Sequence, residues 1–397
     1  MSSLLNLLRK KSAAIPAFSL TMGDITEILA DGNGRIPGMV GFDDDRAFVI
    51  YRDTAYSVGS QQRVAIVSRS GTSPSLGTDV ATTNVLNTAT NYKCIALSTQ
   101  RVLVSATYGG TLHLWLFDVS GASPSELDYI DTTIPITGFL DGAKLWEQLA
   151  VFAFEYDATT DYGAIVAVKT TNDTISVGTA LNVSNVNQNG RLGVCKIDTA
   201  TALVSCTDSS GDYKLATISV SGVTCTEEDS DTFGPTATTP GYSYLGEYDN
   251  TQAVMVYRDD TGTIYNAVSV QLDGYTIDSF GTPVEVVSDS DWENYDDRFA
   301  MIQKGTYGFT SHRSVGEGAY LSMIQMNASG AITVQDPQQI FEDAGDHNFI
   351  SGMGAGQYMF AFYQFDANGM QGRVIENPYY SAATGVITTF LPTSLSD

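Results

Sequence analysis

Residues 253–270 read AVMVYRDDTGTIYNAVSV, an apolar run, a Gly/Asp turn and a second alternating run. Residues 46–67 read RAFVIYRDTAYSVGSQQRVAIV, with the same apolar stem ending in Tyr-Arg-Asp. A triplet used twice is either a catalytic signature or the visible peak of a structural repeat. Taking Tyr51 as anchor, similar stems recur with Ser105, Phe154, Ser205, Tyr257, Ser311 and Phe362 in its place, at intervals of 54, 49, 51, 52, 54 and 51 residues. The intervening stems replace Tyr-Arg-Asp with Ser-Ala-Thr, Phe-Glu-Tyr and Ser-Cys-Thr. A shared chemical role does not survive that exchange, so the triplet measures a repeat.

Within each period an apolar strand comes first (YKCIALS, GRLGVCKI, DRFAMIQ), then the anchor strand, a Gly/Asp/Ser turn and a third strand (TLHLWLFDV, YKLATISV, IYNAVSVQL). A more polar fourth strand closes it (TISVGTALNV, YTIDSFGTPVEVV, ITVQDPQQIF, GVITTFLP). Four antiparallel strands every 40–50 residues are the sequence form of a β-propeller blade, and polarity rising toward the fourth strand suits an outer edge. The expected fold is all-β, a seven-bladed propeller over 39–397 with blades of about 50 residues. Residues 1–38 form an N-terminal arm: a short helix, then an extended or closing strand within FSLTMGDITEIL (18–29). The alternatives are six blades with an N-terminal β subdomain, or tandem sandwiches, which do not predict one period throughout.

Composition narrows the function classes. Forty-five acidic against twenty basic residues give a net charge of −25, which repels phosphate backbones and makes nucleic acid an unsuitable partner. Such a surface suits solubility, cations or a basic partner. Hydrophobic residues at 43% support a large core. No run reaches the roughly 18–20 apolar residues of a membrane-spanning helix. The start, MSSLLNLLRKKSAAIP, places its leucines before Arg9, Lys10 and Lys11, the reverse of a secretory signal peptide. That segment reads either as a basic docking arm on an acidic body or as a frayed terminus. Cys94, Cys195, Cys206 and Cys225 show no CxxC pair; a Cys195–Cys206 bridge across a hairpin is one reading, buried free thiols the preferred one.

Chemistry-bearing motifs are scarce. The phosphate loop, HExxH, the G-x-S-x-G elbow and the Rossmann glycines are absent, and His113 in LHLWLF reads as a packed strand residue. His347, between Asp346 and Asn348, lacks companions that would make a metal or base site. Arg52, Arg258 and Arg313 sit near anchor positions, but a sialidase-like cluster would need them on neighbouring blades. No catalytic residues are assigned. A blade places its second-to-third-strand turn on the same face as the connector to the next blade. Those loops collect acidic and aromatic residues: Asp43, Asp44, Asp45, Asp53, Tyr56, Asp157, Asp212, Asp259, Asp260, Trp292 and Tyr295. Sugars stack on aromatic faces while carboxylates accept their hydroxyls, so this is the candidate binding face; Ca²⁺ is a second occupant, and the bland reading is that β-turns favour Asp.

The blade AVMVYRDDTGTIYNAVSVQLDGYTIDSFGTPVEV resembles the degenerate propellers of tailed-bacteriophage virion proteins, whose blades run RVLVxY-D-G-xxxx-AxVxxVSG-xxI-xxG-T. Turns such as TDSSGDY faintly resemble the Asp-box of sialidase-like propellers, without its order or tryptophan. The first resemblance, over about 39–397, implies a non-enzymatic virion component, a tail or surface protein attached through its arm to other virion proteins, in a homo-oligomeric assembly, assembled in the host cytoplasm and contacting the host surface. The alternative is a carbohydrate-binding propeller or a degenerate glycan hydrolase.

Overall fold

The computed structural model describes residues 21–23, 26–29, 35–53, 61–83, 89–138, 140–156, 162–183, 192–207, 212–234, 243–258, 264–288, 300–304, 307–314, 318–342, 347–353, 358–365, 369–376, 380–381 and 386–387. Among them lie seven sheets of four or five strands and one two-stranded sheet. The seven are numbered in chain order by their first strands: Arg35–Gly41, Thr90–Ala96, Leu140–Trp146, Gly193–Lys196, Ser243–Glu247, Ala300–Lys304 and His347–Met353. The second strands are Arg46–Asp53, Arg101–Tyr108, Leu149–Tyr156, Thr201–Thr207, Gln252–Arg258, Tyr307–Ser314 and Tyr358–Phe365. Every anchor of the sequence period therefore falls in a second strand. The third strands are Gln61–Ser70, Thr111–Asp118, Tyr162–Thr171, Tyr213–Ser221, Ile264–Asp273, Gly318–Met326 and Gly369–Glu376. All neighbouring pairs are antiparallel.

Each first strand touches those of the sheets before and after it, and the seventh returns to the first. The molecule is an all-β propeller of four-stranded antiparallel blades. Its core lies between consecutive sheets. Phe48, Ile50, Val64 and Ile66 of sheet 1 pack on Val102, Val104, Trp115 and Phe117 of sheet 2. Leu103, Leu112, Leu114 and Leu116 on the other side of sheet 2 pack on Phe152, Phe154 and Val166 of sheet 3. A blade apolar on both faces explains why the second and third strands read as continuous hydrophobic runs rather than alternating ones.

Polar side chains fasten sheet to sheet at repeated positions. The first residue of a second strand reaches the third-to-fourth-strand turn of the next sheet three times. Arg46 Nη1 donates to the carbonyls of Val119 (3.3 Å) and Gly121 (3.2 Å), Arg101 Nε to Asp173 (2.8 Å), and Gln252 Nε2 to the Ala328 carbonyl (2.9 Å). Nearer the rim, Asp128 accepts the Ile175 N–H (2.7 Å) and Asp229 that of Ile277 (2.9 Å), each from the fourth strand of the following sheet. Some of the acidic excess is thus inter-sheet fastening.

One expectation is corrected. GVITTFLP is not the outer strand of the last sheet: Val386–Ile387 pairs with Tyr380–Ser381 in the separate two-stranded sheet. The outer position is taken by Thr21–Met22 and Thr26–Leu29, which pair with Gly369–Glu376. Of the two cysteine readings the preferred one holds. Cys195 pairs with Leu203 and Cys206 with Lys214, and all four cysteines are buried and outside any disulfide. Burial pushes the Cys94 and Cys195 thiols well above their ordinary value and that of Cys225 up to about 11.

A candidate binding site between the first two blades

Antiparallel strands divide the loops into two faces. Turns between second and third strands share one face with the connectors; turns between first and second, and third and fourth, share the other. Asp53 ends a second strand and Asp212 precedes a third, so both belong to the connector face. Asp43, Asp44 and Asp45 do not. They form the turn between Arg35–Gly41 and Arg46–Asp53, on the opposite face. The reason is that the weak, Gly- and Pro-containing RIPGMVG is itself a strand, which shifts the acidic run one turn along. This triplet is also engaged with arginines: Asp43 pairs with Arg46 (2.6 Å), Asp45 with Arg69 (2.7 Å), and the Asp44 carbonyl accepts Arg69 Nε (2.9 Å). Tyr56, Asp157, Asp259, Asp260, Trp292 and Tyr295 lie outside the described residues, as does the segment 1–20. Arg258 ends the second strand of sheet 5; the side chains of Arg52, Arg313 and His347 lie outside the description.

Tyr51, the anchor of the first stem, is buried, and its hydroxyl donates to Asp79 (2.6 Å). Arg63, directly across from Tyr51, grips the same carboxylate through Nε and Nη2. The Arg63 hydrogen bond is the main cause holding Asp79 below its ordinary value of 3.8, against the opposing effect of burial. A depressed carboxylate stabilises the fold fully above its unfolded-state value and loses that contribution as pH falls through the folded-state value. Denaturant titrations at pH 7 and pH 3 should therefore show Asp79→Asn costing about 1–2 kcal/mol at the higher pH and clearly less at the lower.

The connector end of sheet 2 carries the richest constellation. His113 lies on the face of its strand that, through Trp115 and Phe117, packs on sheet 1. It is 3% exposed and both ring nitrogens are engaged: Nδ1 with the Tyr129 hydroxyl (2.8 Å), Nε2 with the Tyr108 carbonyl (3.1 Å) and Thr111 Oγ1 (3.1 Å). A carbonyl can only accept, so the neutral ring carries its proton on Nε2 and accepts the Tyr129 O–H at Nδ1. The Tyr108 ring meets His113 edge-on at 5.5 Å, and the Tyr129 ring stacks on it at 6.0 Å. Asp131, opposite His113 in the ladder, keeps its largely exposed carboxylate 3.5 Å from Nε2. Burial first, then the charges of Asp131 and Glu126, hold the Tyr129 phenol above its ordinary value, so it stays a donor.

Backbone irregularity brings a third ring to this edge. The first strand of sheet 2 shifts register between Thr90 and Lys93, and Asn91 adopts φ 53°, fixed by its Nδ2 bond to the Gly138 carbonyl (2.9 Å). Bulges re-aim side chains, and Asn tolerates the left-handed region better than most residues. Tyr92 follows directly, and its hydroxyl accepts from Gln62 Nε2 of sheet 1 (2.9 Å). Tyr92, Tyr108 and Tyr129 are all partly exposed and all pack on the core shared by sheets 1 and 2. Sequence reasoning placed His113 correctly as a packed residue but did not bring Tyr108 and Tyr129 to it.

The geometry defines the class as a β-propeller and nothing narrower. No family model matches the chain, and no curated protein sequence does. Among solved structures, a hypothetical selenium-binding protein from Sulfolobus tokodaii is similar at 6% identity and TM-score 0.53, over 82% of this chain and 83% of that one. That likeness shows the fold alone. The β-propeller domain of the Trilobed protease from Pyrococcus furiosus, described as having an open velcro topology, is similar at 6% identity and TM-score 0.49, over 87% and 95%. A fucose-recognising fungal lectin from Aleuria aurantia, described as a six-bladed β-propeller, is similar at 10% identity and TM-score 0.46, over 81% and 99%.

Proposed function

We propose that the protein is a non-enzymatic, seven-bladed propeller that serves as a tail or surface component of a tailed-phage virion, held through residues 1–20 and contacting other surfaces through its connector face. The count of seven rests on the sequence period and on the circuit of first strands described above. The virion reading rests on the blade texture.

One observation carries the proposed orientation. Thr21 pairs with Glu376, at the end of the third strand of sheet 7 remote from the connector face. A tether preceding Thr21 therefore joins the ring on the side of the third-to-fourth-strand turns, leaving connectors and second-to-third-strand turns available. The arm brings three consecutive basic residues, Arg9, Lys10 and Lys11, to an otherwise acidic body, which suits docking on an acidic partner. The non-enzymatic reading is supported by His113, whose imidazole is spent on structural hydrogen bonds.

Deletion of residues 1–15 is expected to leave a folded ring with unchanged melting temperature and to abolish incorporation into particles. Assembly reactions followed by sedimentation and immunoblot measure this. Incorporation at wild-type levels would overturn the docking arm.

A further inference from the structure

We propose that the connector end of sheets 1 and 2, where Tyr108 and Tyr129 flank His113 with Asp131 beside it, binds a neutral saccharide. The inference rests on the reading of the connector face as a contact surface and names its ligand class.

Tyr92, Tyr108 and Tyr129 are each only partly buried at this end of the inter-sheet core. Aromatic faces of this kind suit the C–H surfaces of a pyranose, whose opposite edge is all hydroxyl. The polar groups are arranged for such a ligand. Asp131 has a largely exposed carboxylate able to accept from sugar hydroxyls. Tyr129 is committed to His113, and His113 to the Tyr108 carbonyl, so the walls are fixed before any ligand arrives. Gln62 and Tyr92 join the two sheets at this end with a 2.9 Å bond. Beside them the turn Gly109–Gly110 is open: a Cβ on either would meet nothing within 4 Å. Preformed walls lower the ordering cost of binding.

Charge selects among sugars. Asp131, together with Glu126 nearby on the same fourth strand, makes the surroundings negative enough to act on the Tyr129 phenol. A sialylated or phosphorylated glycan meets repulsion there, whereas a neutral hexose or deoxyhexose meets hydrogen-bond acceptors.

The test is a glycan array probed with the labelled full-length protein, followed by titration calorimetry on the best neutral glycan retained. Tyr108→Ala and Asp131→Asn should each weaken binding at least tenfold, with the circular dichroism of both and the melting temperature of Asp131→Asn at wild-type values. Asp131 is exposed enough that its amide variant tests the contact even if the tyrosine variant folds poorly. Retention of charged glycans alone, no retention, or wild-type affinity in Asp131→Asn would each overturn the proposal. Because the readout uses the purified chain, it stands apart from particle incorporation, whose failure would leave the saccharide site intact.

Discussion

Alanine at Gly178 is expected to destabilise the ring by roughly 2–4 kcal/mol, while alanine at Gly234 changes stability by less than about 0.5 kcal/mol. Both glycines follow a fourth-strand segment, Gly178 midway along sheet 3 in SVGT (176–179) and Gly234 at the connector end of sheet 4 in TFGP (232–235). At Gly178 a Cβ would lie 1.8 Å from the Val223 carbonyl oxygen, in the third-to-fourth-strand turn of the next sheet. That atom is backbone and bonded into its own hairpin, so relief requires moving one blade against another. At Gly234 a Cβ would meet nothing within 4 Å, and reduced unfolded-state entropy offsets any small loss. Denaturant unfolding of the two variants side by side measures the contrast. Equal effects would show that blade-to-blade contact is not what the glycine of SVGT protects.

Removing residues 1–30, rather than 1–15, should lower the melting temperature by about 4–7 °C. The strands Thr21–Met22 and Thr26–Leu29 occupy the outer edge of sheet 7 and then hand the chain to the first strand of sheet 1. Their ladder hydrogen bonds, at roughly 0.5–1.5 kcal/mol each, amount to about 3–6 kcal/mol, and a single cooperative unit of this size shifts by roughly 1.2 °C per kcal/mol. Gly23→Ala is the point-substitution counterpart. Its Cβ would fall 2.0 Å from the Thr72 carbonyl oxygen in the turn of sheet 1, against which the closing segment rests. Differential scanning calorimetry of both, beside the 1–15 deletion, separates closure of the ring from attachment of the arm. A melting temperature unchanged by the longer deletion would mean that the ring holds without its closing strands.

The period of the anchors was legible because second strands are buried on both faces, so their apolar stems recur whatever the loops do. The identity of the closing strand was legible too, though by a weaker signal. TMGD at 21–24 follows the pattern of SLGT at 75–78, SVGT at 176–179 and SFGT at 279–282. In each, the glycine lies against the following sheet, at Thr72, Ala122, Val223 and Gly330 respectively. GVITTFLP lacks that pattern. The misplacement of Asp43–Asp45 arose because RIPGMVG shows little strand propensity; its partnership with Arg46–Asp53 is tertiary. The tyrosine cluster was hidden for another reason. Tyr129 and Asp131 reach His113 only through a ladder whose register slips between Thr111 and His113, and Tyr92 joins the inter-sheet core beside an irregularity in a different strand. Register slips of this kind leave no mark in hydrophobic pattern.

Pairing of Thr21 with Glu376 also sets the order of events during synthesis. The segment made first among the described strands finds its partner last, after every intervening blade has left the ribosome. At roughly 5–20 residues per second, that is an interval of about 20–70 s. Throughout it, residues 21–29 are an unpaired edge while sheets accumulate beside them, a circumstance that invites pairing with another nascent chain. Crowded polysomes should therefore be where this protein misassembles, by exchange of that one segment between neighbours, rather than by failure of any blade.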